Sequence, residues 1–468
     1  MFSYIFPKVL LGIICLLSVF YSRKAAVFSF FCICVCMAWD VRIKYLLFNY
    51  LDIVLAAAVI VFFARELLSF KKIYVNRFAV ILSFFLCWAV ISLLVNDMSS
   101  IGIKRLLKFV LRYGIYILFI PMMIKTERNF WPSVKSFVFG GCVVAFGYIA
   151  KIAATPQALK NLFLDPLHPD PMVFLGWSGH DLGHYMSIII LLLLGLSFFT
   201  SGTVAKILWA SVPCSVAVLG LSLTKSAWLG FIVSLCVFML HIRKHLTGNL
   251  PPAPAGNGNS KGYNKILESA KAALSFLRRI KRKIGKYGLL VIIFCLCFFA
   301  ALPSQTQRWL WANFKFQDVS EVTRIRVWKC GLNMIEGNPV FGVGFYNFEK
   351  NFKAYDPGGI LDDRTPTDPH NWWIRICAET GVPGLLLFLV FYYGLFRKIN
   401  RSLRKLPSEE YKFKIIGAVL SATLVSIFVQ GFFEATFMWS YYVWAVFAVS
   451  IIYVKIAGEK TKCQIPAP

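Results

Sequence analysis

The chain is short of charge, and shortest of negative charge. Charged residues fill only 15% of 468 positions, and 22 Asp and Glu stand against 50 Lys and Arg. Histidine is scarce as well, at 6 residues. So few polar groups cannot cover a soluble globule of this length, which excludes a soluble domain. Cysteine is present in an odd number, 13. Most cysteines lie inside apolar runs (Cys32, Cys34, Cys36, Cys295, Cys297), and none stands at metal-ligand spacing from a histidine. That removes a disulfide framework and a zinc site. The first apolar run has no A-x-A cleavage site behind it, so it reads as a retained anchor. No internal repeat is evident.

What remains is hydrocarbon-compatible. Hydrophobic residues make up 58% of the chain. Apolar windows that cross a bilayer, or nearly so, fall at 5–20, 25–39, 51–64, 77–95, 107–124, 134–153, 182–199, 207–222, 226–241, 288–303, 382–396, 415–432 and 440–455. Several are short, so the pattern predicts an all-α, polytopic membrane protein with about 12 transmembrane helices.

A net charge of +28 invites a nucleic-acid reading. Its distribution argues for membrane orientation instead, because excess Lys and Arg gather on cytoplasmic loops. Residues 242–287 hold eleven basic residues against Glu268 alone, which places this segment in the cytoplasm. Pro251–Gly258 within it is a linker, and 266–284 carries an apolar stripe opposite its basic residues, as an interfacial helix on the anionic inner leaflet would. Alternation then puts 304–381 outside, where eight basic and eight acidic residues balance before His370. The loop 397–414, with Arg397, Lys398, Arg401, Arg404, Lys405, Lys412 and Lys414, falls inside. Three regions follow: N-terminal helices over 1–303 including the basic cytoplasmic loop, a large outer loop with amphipathic helices over 304–381, and C-terminal helices with a short cytoplasmic tail over 382–468. The N-terminus is outside if every window crosses and inside if one does not.

Three polar features converge on the outer face. In Leu223-Thr224-Lys225-Ser226-Ala227-Trp228 a lysine interrupts two apolar stretches. A cation there either snorkels to the headgroups or is held for function, and position alone leaves both readings open. In Thr323–Ile335 the residues Ile325, Trp328, Leu332 and Ile335 follow helical spacing, with Arg324 and Arg326 beside them, as in a helix resting on the membrane surface. Gly337-Asn338-Pro339-Val340-Phe341-Gly342-Val343-Gly344 follows, a turn open enough for backbone to approach a ligand; no strand precedes it, so it is not a dinucleotide fingerprint. The third feature is His370-Asn371-Trp372-Trp373-Ile374-Arg375, with Glu379 after it, at the mouth of an apolar run. Imidazole beside a carboxylate suits general-base work, and two cations can neutralise a departing diphosphate. Such chemistry calls for no metal and no cofactor.

These segments resemble the bacterial O-antigen ligases and their relatives, the O-antigen polymerases and O-oligosaccharyltransferases. His370-Asn371, nine residues, then Gly381-x-x-Gly384 resembles the ligase signature. Arg324 with Trp328, leading into Asn338-Pro339 and Gly342-x-Gly344, resembles the family's loop-helix arginine element. Thr224-Lys225-Ser226-Ala227-Trp228 resembles its Ser/Thr-Arg-Gly/Ser-Ala-Trp helix start. The likeness covers about 225–384. It implies an inner-membrane glycosyltransferase of GT-C-like helical fold with a periplasmic active site. Such an enzyme moves a glycan from undecaprenyl diphosphate to an acceptor hydroxyl: lipid A-core for a ligase, another lipid-linked glycan for a polymerase, a protein Ser, Thr or Tyr for an oligosaccharyltransferase. The Gly381-x-x-Gly384 ending favours the ligase.

On that model His370 is the base, Arg324 grips the diphosphate, and Lys225 stands where the family usually has another arginine. Arg326, Asn371, Arg375 and Glu379 complete the substrate-binding set. Lysine cannot reproduce the planar two-point grip of arginine. Either Lys225 suffices with help from Arg326, or Arg326 and Arg375 share the task, or the donor site has drifted. Arg326 also begins an R-x10-G stretch like one seen in polymerases. The partners implied are the lipid-linked donor, the glycan acceptor and membrane lipid, with no nucleic acid. From another class, a polar-lipid transporter or flippase would also need intramembrane cations, but it should show inverted repeats or broken helices in matched halves. A sensor or structural protein would leave the His370 cluster unexplained.

Overall fold

The structure, a computed structural model, describes residues 75–154, 179–222, 224–247, 319–356, 368–434 and 440–462. Among these the regular elements are all helices. They are α1 (Arg77–Val95), α2 (Ser100–Arg112), α3 (Ile120–Met123), α4 (Glu127–Ala154), α5 (Gly179–Ser197) and α6 (Gly202–Leu221), then α7 (Lys225–Ile242), α8 (Val319–Gly337), α9 (Phe348–Asn351), α10 (Trp372–Lys405), α11 (Tyr411–Gln430) and α12 (Tyr441–Lys462). A π-helical stretch, Tyr113–Phe119, joins α2 to α3. Among the described residues eight helical stretches are long and apolar enough to cross a membrane, and the apolar part of α5 is shorter. Their number and length make the protein a multi-pass membrane protein. Nine of the apolar windows coincide with these helices. The windows at 5–20, 25–39, 51–64 and 288–303, the linker and interfacial helix within 248–287, and residues 304–318 lie outside the described residues.

Side chains mark the two ends of the bundle. At one end Lys460 pairs with Glu127 at 2.7 Å and with Glu410 at 2.6 Å, tying the end of α12 to the starts of α4 and α11. The basic residues of 397–405 and 412–414 stand at this same end. At the other end lie the end of α1, the starts of α5, α7, α10 and α12, the end of α11, and helix α8 with its following loop. This second end carries all three sequence features.

Prolines inside helices leave carbonyls without their usual donor, and here the partners are visible. Pro121 cannot serve the carbonyl of Ile117, which instead accepts from Asn76 Nδ2 at 2.8 Å. The same amide's Oδ1 accepts from Ala79 N–H at 2.9 Å and caps α1. Pro383 likewise orphans the carbonyl of Glu379, which accepts from Ser92 Oγ at 2.7 Å. The core between the spans is apolar and aromatic: Phe85 packs against Phe109 and Phe388, and Phe391 meets Phe78 and Phe447 edge-on.

Candidate functional site

The site is built on a break in α10. Gly381 has φ 71° and ψ 178°, so the helix stops at Thr380 and restarts. A helix that stops leaves carbonyls to be satisfied. Ala378 O accepts from Val343 N–H at 2.8 Å, Glu379 O from Ser92 Oγ, and Thr380 O from Trp88 Nε1 at 2.8 Å. Val382 N–H, displaced from its helical partner, donates to Pro339 O at 2.8 Å. The glycine-rich turn 337–344 is therefore interlocked with the break. A Cβ on Gly342 would stand 2.5 Å from Ala378 O and 2.6 Å from Thr380 N. The turn's openness serves the approach of backbone to α10, which corrects the reading that it serves a ligand.

Helix α8 lies on this platform. Val327, Cys330 and Met334 pack against Val343, Phe348, Phe352 and Ala378 in a small core of their own. On the other side Ile325 and Leu332 are 48% and 54% exposed, an apolar row as expected of a helix at a membrane surface. Burial pushes the Cys330 thiol up to about 11, so it is no thiolate nucleophile. Trp328 anchors the helix to the third feature: its Nε1–H donates to Pro369 O at 2.6 Å, one residue before His370. Arg324 lies one turn earlier on the same face and is half-buried, while Arg326 is exposed.

His370 is half-buried with φ 45°, a left-handed conformation uncommon for a residue with a side chain. Its Nδ1 is buried and has no hydrogen-bond partner among the described residues. Asn371 follows as the N-cap of α10, its Oδ1 accepting from Trp373 N–H and Ile374 N–H at 3.0 Å each. Arg375 is 2% exposed, and three of its nitrogens meet three carboxylates: Nε to Glu379 Oε1 at 3.0 Å, Nη1 to Asp368 Oδ2 at 2.9 Å, Nη2 to Glu349 Oε1 at 2.7 Å. Its guanidinium also stacks on Tyr346 at 4.3 Å, while Arg105 of α2 stacks on the same ring at 4.7 Å. Burial raises the Tyr346 phenol despite the pull of the two cations. Asn371 thus caps α10, Glu379 holds Arg375 from within the helix, and Arg375 reaches the turn before His370 through Asp368.

Lys225 opens α7 and is exposed. A buried chain of side chains leads from its neighbour to α10. Ser226 Oγ lies 3.3 Å from His184 Nε2, and His184 Nδ1 lies 2.9 Å from Gln430 Oε1. Gln430 Nε2 donates to Ser187 Oγ and Ser426 Oγ at 2.8 Å each, which fixes its oxygen towards the imidazole. The next residue, Gly431, accepts from Trp372 N–H at 2.7 Å. Lys225, Arg324 and His370 therefore occupy elements joined at one end of the bundle, by this chain on one side and by Trp328 on the other.

Sequence reasoning missed Asp368, Glu349, Tyr346, Arg105, His184 and Gln430. Only Asp368 carried a local signal, since Asp two residues before a backbone N–H in Asp-Pro-His is a turn-former. Among the described residues no three His, Cys, Asp or Glu side chains gather as a metal would require.

Residues 210–389 match a family model described as O-Antigen ligase. No curated protein matches the chain. The matched stretch begins in α6, takes in Lys225, Arg324, His370 and the broken part of α10, and ends just beyond Gly384. Over residues 210–389, which is less than half of its length, the chain is similar to the O-antigen ligase family, and that likeness supports a membrane glycosyltransferase of the ligase and polymerase type.

Proposed function

We propose that this protein is a ligase that moves a glycan from undecaprenyl diphosphate to a hydroxyl of lipid A-core at the periplasmic face of the inner membrane. The observation that carries the reading is His370: a half-buried imidazole whose Nδ1 has no partner among the described residues, at the end of the bundle that also holds the Lys225 and Arg324 elements. The imidazole takes the proton of the acceptor hydroxyl as its oxygen attacks the anomeric carbon. The bond from that carbon to the diphosphate oxygen breaks, and undecaprenyl diphosphate leaves with the electron pair. Arg324, Arg326 and Lys225 neutralise the charge growing on that leaving group. Arg375 serves the architecture and does not grip the donor, because its guanidinium is committed to three carboxylates. The basic residues at the opposite end support the orientation, since Lys and Arg mark the cytoplasmic side.

The test is a strain lacking this protein, complemented with wild type or His370→Ala and examined on a gel of its surface glycans. Intact lipid-linked glycan with uncapped lipid A-core is the expected result for both the deletion and His370→Ala. Single repeat units would indicate a polymerase instead. Wild-type glycans with inserted, folded His370→Ala would remove the imidazole from the reaction.

A further inference from the structure

The conformation of His370 needs a cause. Its backbone is left-handed at φ 45°, which no side-chain hydrogen bond of its own explains among the described residues. The cause lies two residues back. Asp368 Oδ1 accepts the His370 N–H at 2.8 Å, and Asp368 Oδ2 accepts from Arg375 Nη1 at 2.9 Å. The intervening Pro369 is fixed at its carbonyl by Trp328 Nε1–H. Arg375 cannot shift to follow a moving turn, because Glu379 within α10 and Glu349 on α9 hold its other nitrogens.

We infer that Asp368 is a positioning residue for the reaction: a two-oxygen latch that ties the His370 turn to the buried Arg375 and aims the imidazole at the acceptor hydroxyl. The inference rests on the reading of His370 as the base. It explains why a carboxylate is needed. Both atoms that Asp368 faces are donors, so both of its oxygens must accept. An amide of the same shape offers one oxygen and one NH2 group, and either way round the NH2 meets a donor. Asn at this position can hold the turn or the guanidinium, and not both. The geometry at stake is fine, since displacing a reacting group by about 1 Å costs roughly 100-fold in rate.

The experiment uses purified full-length protein and compares Asp368→Asn, Glu349→Gln and His370→Ala. Glu349→Gln weakens the same guanidinium without touching the turn. Turnover in glycan transfer, affinity for undecaprenyl diphosphate and the folded fraction are measured for each. For Asp368→Asn the expected result is turnover lowered by roughly tenfold to 100-fold with donor affinity within about twofold of wild type. Glu349→Gln should keep turnover per folded molecule within about threefold. Donor affinity falling in step with turnover overturns the latch, as does an equal turnover loss in Glu349→Gln, which would make Asp368 a support of the fold alone. Wild-type turnover in Asp368→Asn with an inactive His370→Ala removes the latch and leaves the base assignment standing. An active His370→Ala removes the base, and with it any latch for that base.

Discussion

Gly381 makes the sharpest test of how this end of the bundle is built. Its φ of 71° and ψ of 178° lie in a region nearly closed to other residues. Alanine there carries about 1–3 kcal/mol of backbone strain. Its Cβ would also stand 2.8 Å from the carbonyl oxygen of Pro339 and overlap the carbonyl of Val340. Both are backbone groups that cannot rotate aside, and moving the loop costs about 1–3 kcal/mol more. If the loop gives way, the 2.8 Å bond from Val382 N–H to Pro339 O is lost, worth about 1 kcal/mol net. Gly381→Ala should therefore destabilise the protein by about 3–7 kcal/mol, a large part of an ordinary stability margin. Gly394→Ala is the control, because its nearest neighbour would be Phe78 Cε1 at 3.9 Å and helical alanine is about 1 kcal/mol better than glycine. Thermal denaturation in detergent, followed by fluorescence-detected size exclusion, reads both. Gly381→Ala should melt several degrees below wild type and Gly394→Ala at or slightly above it. Indistinguishable curves would refute the interlock of the 337–344 turn with the break in α10.

Other expectations follow from the same contacts. Lys225→Arg should retain more transfer activity than Lys225→Ala in a donor-dependent assay; equal activity in the two would mean that the position only snorkels. Arg375→Met removes the shared partner of Glu379, Asp368 and Glu349 and leaves the Glu379 carboxyl buried without it, which should cost about 3–5 kcal/mol; a melting curve like that of wild type would show that the arginine does not hold this cluster together. Gln430→Leu removes the acceptor for His184 and the donor to Ser187 and Ser426, for about 1–3 kcal/mol. Unchanged stability in that variant would mean that water replaces the amide.

Composition and long apolar runs were enough to show the helical membrane fold, because a helix that crosses lipid must stay apolar over about 20 consecutive residues. Each of the nine described windows falls on a helical stretch, although α2, α4 and α10 begin 7 to 10 residues before theirs, and Asn371 stands where an N-cap belongs. Arg375 was harder. A buried arginine reads alike from the sequence whether it waits for a diphosphate or is filled by carboxylates, and two of its three partners, Glu349 and Asp368, come from outside its helix. The glycines told only that backbone must come close, and not that the visitor is another stretch of the same chain. His184 and Gln430 meet across two helices far apart in sequence, where no periodicity couples them. Patterns within one helix speak to its own burial, whereas the contacts that assemble this end join segments the pattern treats as independent.

The bonds that cradle the break in α10 also govern when this end can be assembled. Trp88 reaches Thr380 across 292 residues of chain, Ser92 reaches Glu379 across 287, and His184 meets Gln430 across 246. During synthesis the early helices enter the bilayer with these donors and acceptors still awaiting partners. This end of the bundle therefore closes only after α10 and α11 have been inserted, and a truncated nascent chain cannot hold the turn that carries His370.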